Sequence, residues 1–269
     1  MDHNRPSLAF RLWRRLVTAV GDWQTKKRPP LCGQQEYEEV IPKLLPGDVV
    51  LHRDDRFGPC NWFIGGLMIH AGIYIGNGYI VEAVSEGVVK RPVWHILESD
   101  YTMVVRPNGR FNADGCDYWS MPKEVFEACM KANAIEGFEY DMLFDFCDAV
   151  EFDALEKIEF NFVPKAWKEK AKQAGISFCC TEVPYFCYYP VREELGLFRR
   201  RNVSVLTKAL GWIGLPTGEA VIDADMYVTA HGFDLVWCSA SASLGWANSM
   251  RASEAMLYKM TTYWAGRRR

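Results

Sequence analysis

The chain has 269 residues, of which 49% are hydrophobic and 24% are charged. This composition is that of a folded protein, and the length suits one large domain with extensions or two small domains. The net charge is −3 and the pI is about 6.0, so no overall basic field points to nucleic acid as a partner. No apolar run reaches the ~18 residues of a membrane span. Arg11, Arg14 and Arg15 interrupt any secretory signal, so we expect synthesis in the cytoplasm.

Residues 1–41 resemble an extension rather than part of the core. Leu8, Leu12 and Leu16 recur at helical spacing between arginines, which predicts an amphipathic basic helix. We favour a helix docked on the body through its leucine face. The alternative is an arm, within residues 1–25, that binds a membrane surface or a partner. Residues 26–30 are predicted to be a linker.

Strand-like and helix-like patterns alternate along the rest of the chain. Apolar runs and turn residues predict strands, the first five in an antiparallel meander, at 49–53, 70–75, 79–84, 88–93, 101–106, 226–228 and 233–237. Helical periodicity predicts helices at 123–135, 164–174, after Cys180, and at 244–264. We therefore predict an α+β fold in which an antiparallel sheet packs against helices. Its main domain would span 42–240, with a helical extension over 241–269.

Cys180 is the most informative residue for function. Pro184 lacks an N–H and is tolerated only in the first turn of a helix, so a helix should begin around Cys180 or Thr181. Unpaired backbone N–H groups and the positive end of the helix dipole would favour the thiolate there. The same N–H groups could form an oxyanion hole. The alternative is a buried structural cysteine, which is how we interpret Cys179 and Cys187.

The nine cysteines form no regular framework, so we expect reduced thiols. Cys179, Cys180 and Cys187 are close in sequence, but adjacent cysteines rarely bind one ion and the chain has no Cys-x-x-Cys motif. We therefore expect neither a metal site nor a cofactor.

His70 and Glu82 are candidates to assist the thiol. Because side chains alternate along a strand, His70 and Gly72 share a face, and the glycine leaves room for an imidazole to meet another group. Glu82 is a polar residue in an apolar strand and needs a partner if it is buried. A two-residue turn at 77–78 would place it on the face opposite His70. We predict instead a three-residue loop at 76–78, which pairs Gly72 with Glu82 and brings the carboxylate to the His70 face. The alternative for His70, and our interpretation of His52, His95 and His231, is a structural or exposed histidine.

The motifs, taken in order, resemble a known family. They are Leu-Pro-Gly-Asp-Val-Val at 45–50, His-Ala-Gly-Ile-Tyr-Ile-Gly-Asn-Gly at 70–78, Ile-Val-Glu-Ala at 80–83, Gly-Phe-Glu-Tyr-Asp at 137–141 and Cys-Thr-Glu at 180–182. The series resembles the circularly permuted papain-like cysteine hydrolases of the NlpC superfamily, of the YiiX-like type, over roughly residues 44–230. The lecithin-retinol-acyltransferase-like proteins are relatives. The order His, Glu, Cys is the reverse of papain-type enzymes.

This resemblance implies a permuted papain-like fold with Cys180 as nucleophile, His70 as base and Glu82 as third member. It also implies that Tyr140 lies near the substrate, and we place Gly72 and Thr181 there too. Two features depart from the family pattern. Pro184 stands early in the helix, and an insertion rich in Phe and acidic residues at 144–162 suggests a lid or a partner surface.

Three functions are compatible with these motifs. The first is an amidase or endopeptidase that cleaves bacterial cell-wall peptides, delivered to the wall in a virion, such as a phage tail, or by a secretion system. The second is an acyl hydrolase or transferase acting on lipids. The third is a non-enzymatic module of a phage particle or other assembly, with the terminal extensions binding neighbouring proteins.

Overall fold

The structure is a computed structural model that describes residues 15, 19, 23–57, 66–112, 120–140, 177–198, 200–201, 220–221 and 223–267. The predicted helix at 164–174, the insertion at 144–162 and nearly all of the predicted amphipathic helix lie outside these residues. No helix in the described ranges combines the length and the apolar character that crossing a membrane would require.

A six-stranded antiparallel sheet forms the centre of the fold, in the order β10-β5-β1-β2-β3-β4. Strands β1 to β4 form a meander, as predicted, whereas β5 returns to the other side of β1. The short pairs β6–β7 and β8–β9 form separate two-stranded sheets, and the first of them packs beside β4. The strands are β1 Val49–Arg53, β2 His70–Gly76, β3 Tyr79–Val84, β4 Gly87–Pro92, β5 Tyr101–Pro107, β6 Glu139–Tyr140, β7 Ser177–Phe178, β8 Arg200–Arg201, β9 Ala220–Val221 and β10 Phe233–Cys238.

Helices cover both faces of this sheet. They are α1 Gln34–Val40, α2 Trp94–Leu97, α3 Lys123–Ala134, α4 Glu182–Cys187, α5 Arg192–Leu195, α6 Asp225–Thr229, α7 Leu244–Ser249 and α8 Glu254–Arg267. Single 3-10 turns occur at Ile41–Lys43, Gly109–Phe111 and Tyr189–Val191. The α+β class with an antiparallel sheet against helices is therefore confirmed.

Alternate residues of the central strands enter two separate cores. Val49 and Leu51 of β1 face a large core, to which α3, α4, α6 and α8 contribute. Val50 faces a smaller core on the other side, together with Val40 of α1 and Ile96 of α2. Burial of each such side chain contributes about 1.5–3 kcal/mol, so both layers hold the sheet in register. Glu82 of β3 is a fully buried polar interruption of this apolar framework.

The N-terminal segment before α1 is tied to the sheet by Asp100. This fully buried carboxylate accepts two hydrogen bonds from Arg28, at 2.7 and 2.6 Å, and one each from the N–H groups of Leu31 and Asp55. The stretch at 26–30 that we predicted as a linker is thus anchored at Arg28.

The prediction of a three-residue loop between β2 and β3 is wrong. Asn77 and Gly78 have φ values of 55° and 78°, which indicates a two-residue turn of the type that suits the right-handed twist of hairpins. Gly76 rather than Ile75 pairs with Tyr79, and the register shifts between Tyr74 and Gly76. This bulge adds one residue to β2, so Gly72 still pairs with Glu82, as predicted.

Two predictions in the C-terminal part are wrong. The predicted strand at 226–228 is helix α6, because Asp223 Oδ1 accepts the N–H of Asp225 at 3.0 Å and turns the chain at the helix start. The predicted single helix at 244–264 is two helices, α7 and α8. Arg251 between them has a φ of 58°, which breaks the helix, and Ser253 Oγ accepts the N–H of Met256 at 3.3 Å to begin the second.

In α3, Val125, Cys129 and Ala132 are buried against the large core, whereas Phe126 is 38% exposed. The strand predicted at 233–237 is confirmed as β10.

Candidate active site

Cys180 lies in the turn that leads into α4. The helix begins at Glu182 with Thr181 as N-cap, which agrees with the predicted start to within two residues, and Pro184 is its third residue. The Cys180 side chain is almost fully buried, and its Sγ lies 3.7 Å from the carbonyl oxygen of Ile69. The start of α4 therefore points the thiol at the first residue of β2, which is His70.

His70 and Glu82 are bonded directly. Nε2 of His70 lies 2.5 Å from Oε2 of Glu82, whose side chain is completely buried, while the His70 side chain is 15% exposed. The pairing of Gly72 with Glu82 makes the carboxylate the diagonal neighbour of His70 on one face of the sheet. A Cβ atom on Gly72 would lie 3.1 Å from the Glu82 Cβ and 2.9 Å from the Ile80 Cδ1. Gly72 therefore lets the Glu82 side chain lie flat beside it.

The His70 imidazole and the backbone N–H groups of Ala71 and Thr181 all act on the Cys180 sulfur. Burial opposes charge on both partners. The charge and hydrogen bond of His70, with the two N–H groups, nevertheless lower the pKa of Cys180. The charge and hydrogen bond of Cys180, and those of Glu82, likewise overcome burial and raise the pKa of His70 to about 10. The site therefore favours a thiolate–imidazolium pair at neutral pH.

Glu82 stays ionised although it is buried. Burial raises its pKa, but the hydrogen bond and charge of His70 and those of Arg91 outweigh this and lower it to about 2. Arg91 reaches the carboxylate from β4 and donates from Nε to Oε1. Sequence reasoning missed Arg91. Its side chain meets Glu82 only through the β3–β4 register, and the alternating pattern of 88–93 was the one signal available.

His52 is a second histidine that sequence reasoning left out of the site. It pairs with His70 across β1 and β2, and the two rings meet nearly edge to face with centroids 4.7 Å apart. Burial and the positive charge of His70 lower the pKa of His52 to about 3, so it is neutral beside the imidazolium. Its buried Nδ1 has no hydrogen-bond partner among the described residues.

Helix α6 holds both segments that carry the reacting side chains. Tyr227 donates its hydroxyl hydrogen to the carbonyl of Thr181 at 2.7 Å. Asp225 accepts the N–H groups of Leu67 and Met68, at 2.7 and 2.8 Å, just before β2. One short helix thus fixes the turn after Cys180 relative to the start of the histidine strand.

The three residues predicted to contact substrate lie in three different settings. Gly72 is buried in the sheet between β1 and β3. Thr181 is 7% exposed, and its Oγ1 lies 3.4 Å from Cys179 Sγ. The group of Thr181 that acts on the Cys180 sulfur is its backbone N–H. Tyr140 ends β6 and pairs with Phe178, two residues before Cys180. Its side chain lies outside the described part of the structure, so its role stays a prediction.

The pKa of Cys180 is shifted in the opposite direction from those of four other cysteines. Burial raises the pKa of four other cysteines, Cys32, Cys129, Cys187 and Cys238, whereas that of Cys180 is lowered. The described cysteines are all reduced. Over the described ranges, no group of three or more His, Cys, Asp or Glu side chains is arranged to hold a metal ion.

No protein-family model and no curated protein matches the chain. Among solved structures, the chain is similar to the crystal structure of metalloprotein yiiX from Escherichia coli, with 15% sequence identity and a TM-score of 0.48. The match covers 72% of this chain and 97% of that chain. The assignment to the permuted papain-like class stays a prediction.

Proposed function

We propose that this chain is a cysteine hydrolase of the permuted papain-like class, with Cys180 as nucleophile, His70 as acid and base, and Glu82 as the group that orients His70. The observation that carries the proposal is the buried contact series from Cys180 through His70 to Glu82. A nucleophile, a base and an orienting group within hydrogen-bond reach form the unit that covalent hydrolysis requires.

The proposed reaction has two steps. The Cys180 thiolate attacks the carbonyl carbon of an amide, and the carbonyl electrons move to oxygen. The tetrahedral intermediate collapses as His70 gives its proton to the departing nitrogen. The nitrogen leaves as an amine, and the acyl group stays on Cys180 as a thioester. Neutral His70 then takes a proton from water, the hydroxide attacks the thioester, and the acid product leaves with the thiolate restored. The Thr181 N–H beside the sulfur is our candidate donor to the oxyanion.

Glu82 determines which nitrogen of His70 faces the sulfur. Because Nε2 is bonded to Glu82, Nδ1 is the nitrogen left for Cys180. An ionised carboxylate at Nε2 holds the proton on that side when the ring is neutral and stabilises the imidazolium when it is charged. Glu82 thereby keeps the ring aligned through both steps.

We propose an amide in a bacterial cell-wall peptide as substrate, on the resemblance of the motifs at 70–83 and 180–182 to enzymes of that kind. An ester in an acyl lipid would use the same centre, so the two substrate classes are separated by assay. A module without chemistry would have no use for a buried thiolate, which favours an enzyme.

The test measures nucleophile and substrate separately. Iodoacetamide labelling at pH 6, followed by peptide mass analysis, should modify Cys180 in the native chain and much more slowly in His70→Asn. Labelling at Cys187, the buried last residue of α4, is the internal control. The chain and its Cys180→Ser variant are then incubated with muropeptides and with a short-chain acyl ester. Cys180-dependent release of an amine supports the amidase. Ester cleavage alone supports the lipid alternative, and an inert Cys180 would contradict both.

A further inference from the structure

We propose that Arg91 is a positioning residue of this centre, holding the Glu82 carboxylate ionised and oriented so that His70 has a fixed partner. The inference rests on the proposed function and extends its machinery by one strand, from β3 to β4.

The sheet register brings Arg91 to Glu82. Glu82 pairs with Val89 and Ile80 pairs with Arg91 across β3 and β4. Arg91 is therefore on the face of Glu82 and one diagonal step away, a distance that a long side chain spans. Its Nε donates to Oε1, and the Arg91 side chain is 32% exposed while that of Glu82 is fully buried. Arg91 thus links the buried carboxylate to the protein surface.

The two oxygens of Glu82 have different partners. Oε2 is bonded to His70 and Oε1 to Arg91. A carboxylate bonded at one oxygen only is free to rotate about its last bond, whereas bonds at both oxygens fix its plane. The Arg91 contact therefore determines where Oε2 lies relative to the His70 ring.

The charges along the series also depend on Arg91. Thiolate, imidazolium, carboxylate and guanidinium alternate in sign and sum to zero. Without Arg91, the series of Cys180, His70 and Glu82 would carry one net negative charge in a buried site, which is costly. The least expensive response is protonation of Glu82 at a higher pH than in the native chain.

The groups near Glu82 come from its neighbouring strands β2 and β4, and one comes from β1 beyond β2. They are His70 from β2, neutral His52 from β1 and Arg91 from β4, with Cys180 beyond His70. Lys90, the neighbour of Arg91, points to the other face of the sheet and donates to Asn133 Oδ1 at 3.1 Å. Lys90→Met therefore removes the same charge one residue away without touching Glu82, and it is a matched control.

The experiment measures the rate of Cys180 alkylation by iodoacetamide from pH 4 to pH 9 in the full chain. In Arg91→Met we expect the acidic limb of the profile to move up by about one pH unit, which is about a tenfold slower rate at a given pH on that limb, because Glu82 takes up a proton more readily without its guanidinium partner. At pH 8 the rate should stay within about twofold of the native rate, since Glu82 is again ionised. Arg91→Lys should keep the profile close to that of the native chain, and Lys90→Met should leave it unchanged.

Superimposed profiles for Arg91→Met and the native chain, with labelling that still depends on His70, would overturn the role of Arg91 and leave the hydrolase proposal intact. An equal loss of rate at every pH would overturn it as well, because that is the effect of general damage to the site. If the native Cys180 is unreactive or does not depend on His70, both proposals fail together. Should Arg91→Met not fold, Arg91→Gln takes its place, with the same shift expected and the same superposition overturning the inference.

Discussion

His52 lies directly opposite His70 in the β1–β2 pair, and the two imidazole rings meet nearly edge to face at 4.7 Å. One ring is held neutral and the other charged, although the residue type is the same. The charged ring has Cys180 and Glu82 as partners, while the neutral ring has a buried Nδ1 with no partner among the described residues. Partner groups, rather than burial, therefore decide which histidine carries the proton.

We expect His52 to act as packing for the His70 ring. His52→Phe keeps an aromatic ring at that position and removes the unpartnered nitrogen, so the free energy of unfolding should stay the same or rise by up to about 1 kcal/mol. His52→Ala leaves a cavity beside His70 and should lower it by about 2 kcal/mol or more. Urea unfolding of both variants measures the difference. A Phe variant that is as unstable as the Ala variant would show that the imidazole makes a polar contact that we have not identified.

Glu82→Gln tests the carboxylate directly. The amide has the same shape but no charge, so His70 loses its negative partner and the pKa of His70 falls. The thiolate–imidazolium pair becomes less favourable, and alkylation of Cys180 at pH 6 should slow at least about tenfold. Removing one member of a buried ion pair should also cost about 3–5 kcal/mol of stability. Peptide-resolved alkylation and urea unfolding measure the two effects. Unchanged alkylation at pH 6 would remove Glu82 from the site.

The sequence predicted the position of Glu82 for a reason that is only partly correct. The Gly72–Glu82 pairing was expected from a three-residue loop, but it is produced by a two-residue turn and a bulge. Gly-Asn-Gly is compatible with both, and the two differ only in which residue of β2 is left unpaired. A bulge depends on the packing of the neighbouring strands, which local sequence does not contain.

The groups that sequence reasoning missed are those that reach the site through longer connections. The contact of His52 with His70 depends on the whole segment between β1 and β2, and that of Arg91 with Glu82 depends on the β3–β4 register. Helix α6 was mistaken for a strand because a run of three apolar residues is too short to show a period. Cys180 and His70 could be found because a nearby residue marks each of them. Pro184 requires a helix to begin near Cys180, and Gly72 leaves room beside His70.

Gly72→Ala tests how closely the sheet must approach at the site. The added Cβ would lie 2.9 Å from Ile80 Cδ1 and 3.1 Å from Glu82 Cβ, so one of them must move. We expect a loss of about 1–3 kcal/mol in stability and slower alkylation of Cys180, because Glu82 moves away from His70. Adding Ile80→Val removes only the 2.9 Å contact with Cδ1, because the contacts of 3.1 Å with Ile80 Cγ1 and Glu82 Cβ remain. It should therefore recover part of the stability and less of the alkylation.

Gly266 in α8 is the matched control, because nothing lies within 4 Å of a Cβ placed there. Gly266→Ala should raise stability by up to about 1 kcal/mol through helix propensity and leave alkylation unchanged. A Gly72→Ala chain that behaves like Gly266→Ala would show that the sheet relaxes without displacing Glu82.

Asp225 gives the fold a measurable dependence on pH. Burial and the charge of Asp223 raise its pKa to about 6, despite the N–H groups of Leu67 and Met68 that favour the carboxylate. The folded chain therefore holds this proton more tightly than the unfolded chain, whose aspartate titrates near 3.9. Stability contributed by this group is fully present below about pH 4, is lost as pH rises to about 6, and stays lost above that. A shift of this size corresponds to about 2–3 kcal/mol.

Asp225→Asn removes the titrating group. A comparison with the native chain therefore separates the pH-dependent stability that Asp225 contributes from that of the other carboxylates. The asparagine has one acceptor oxygen for two N–H donors, so we expect a constant loss of about 1–3 kcal/mol at low pH. The difference in unfolding free energy between the native chain and Asp225→Asn should narrow by about 2 kcal/mol between pH 4 and pH 7. Urea unfolding at pH 4, 5.5 and 7 measures it. A difference that is constant over this range, or that widens as pH rises, would mean that the carboxylate is already ionised at low pH and that its two N–H partners outweigh its burial.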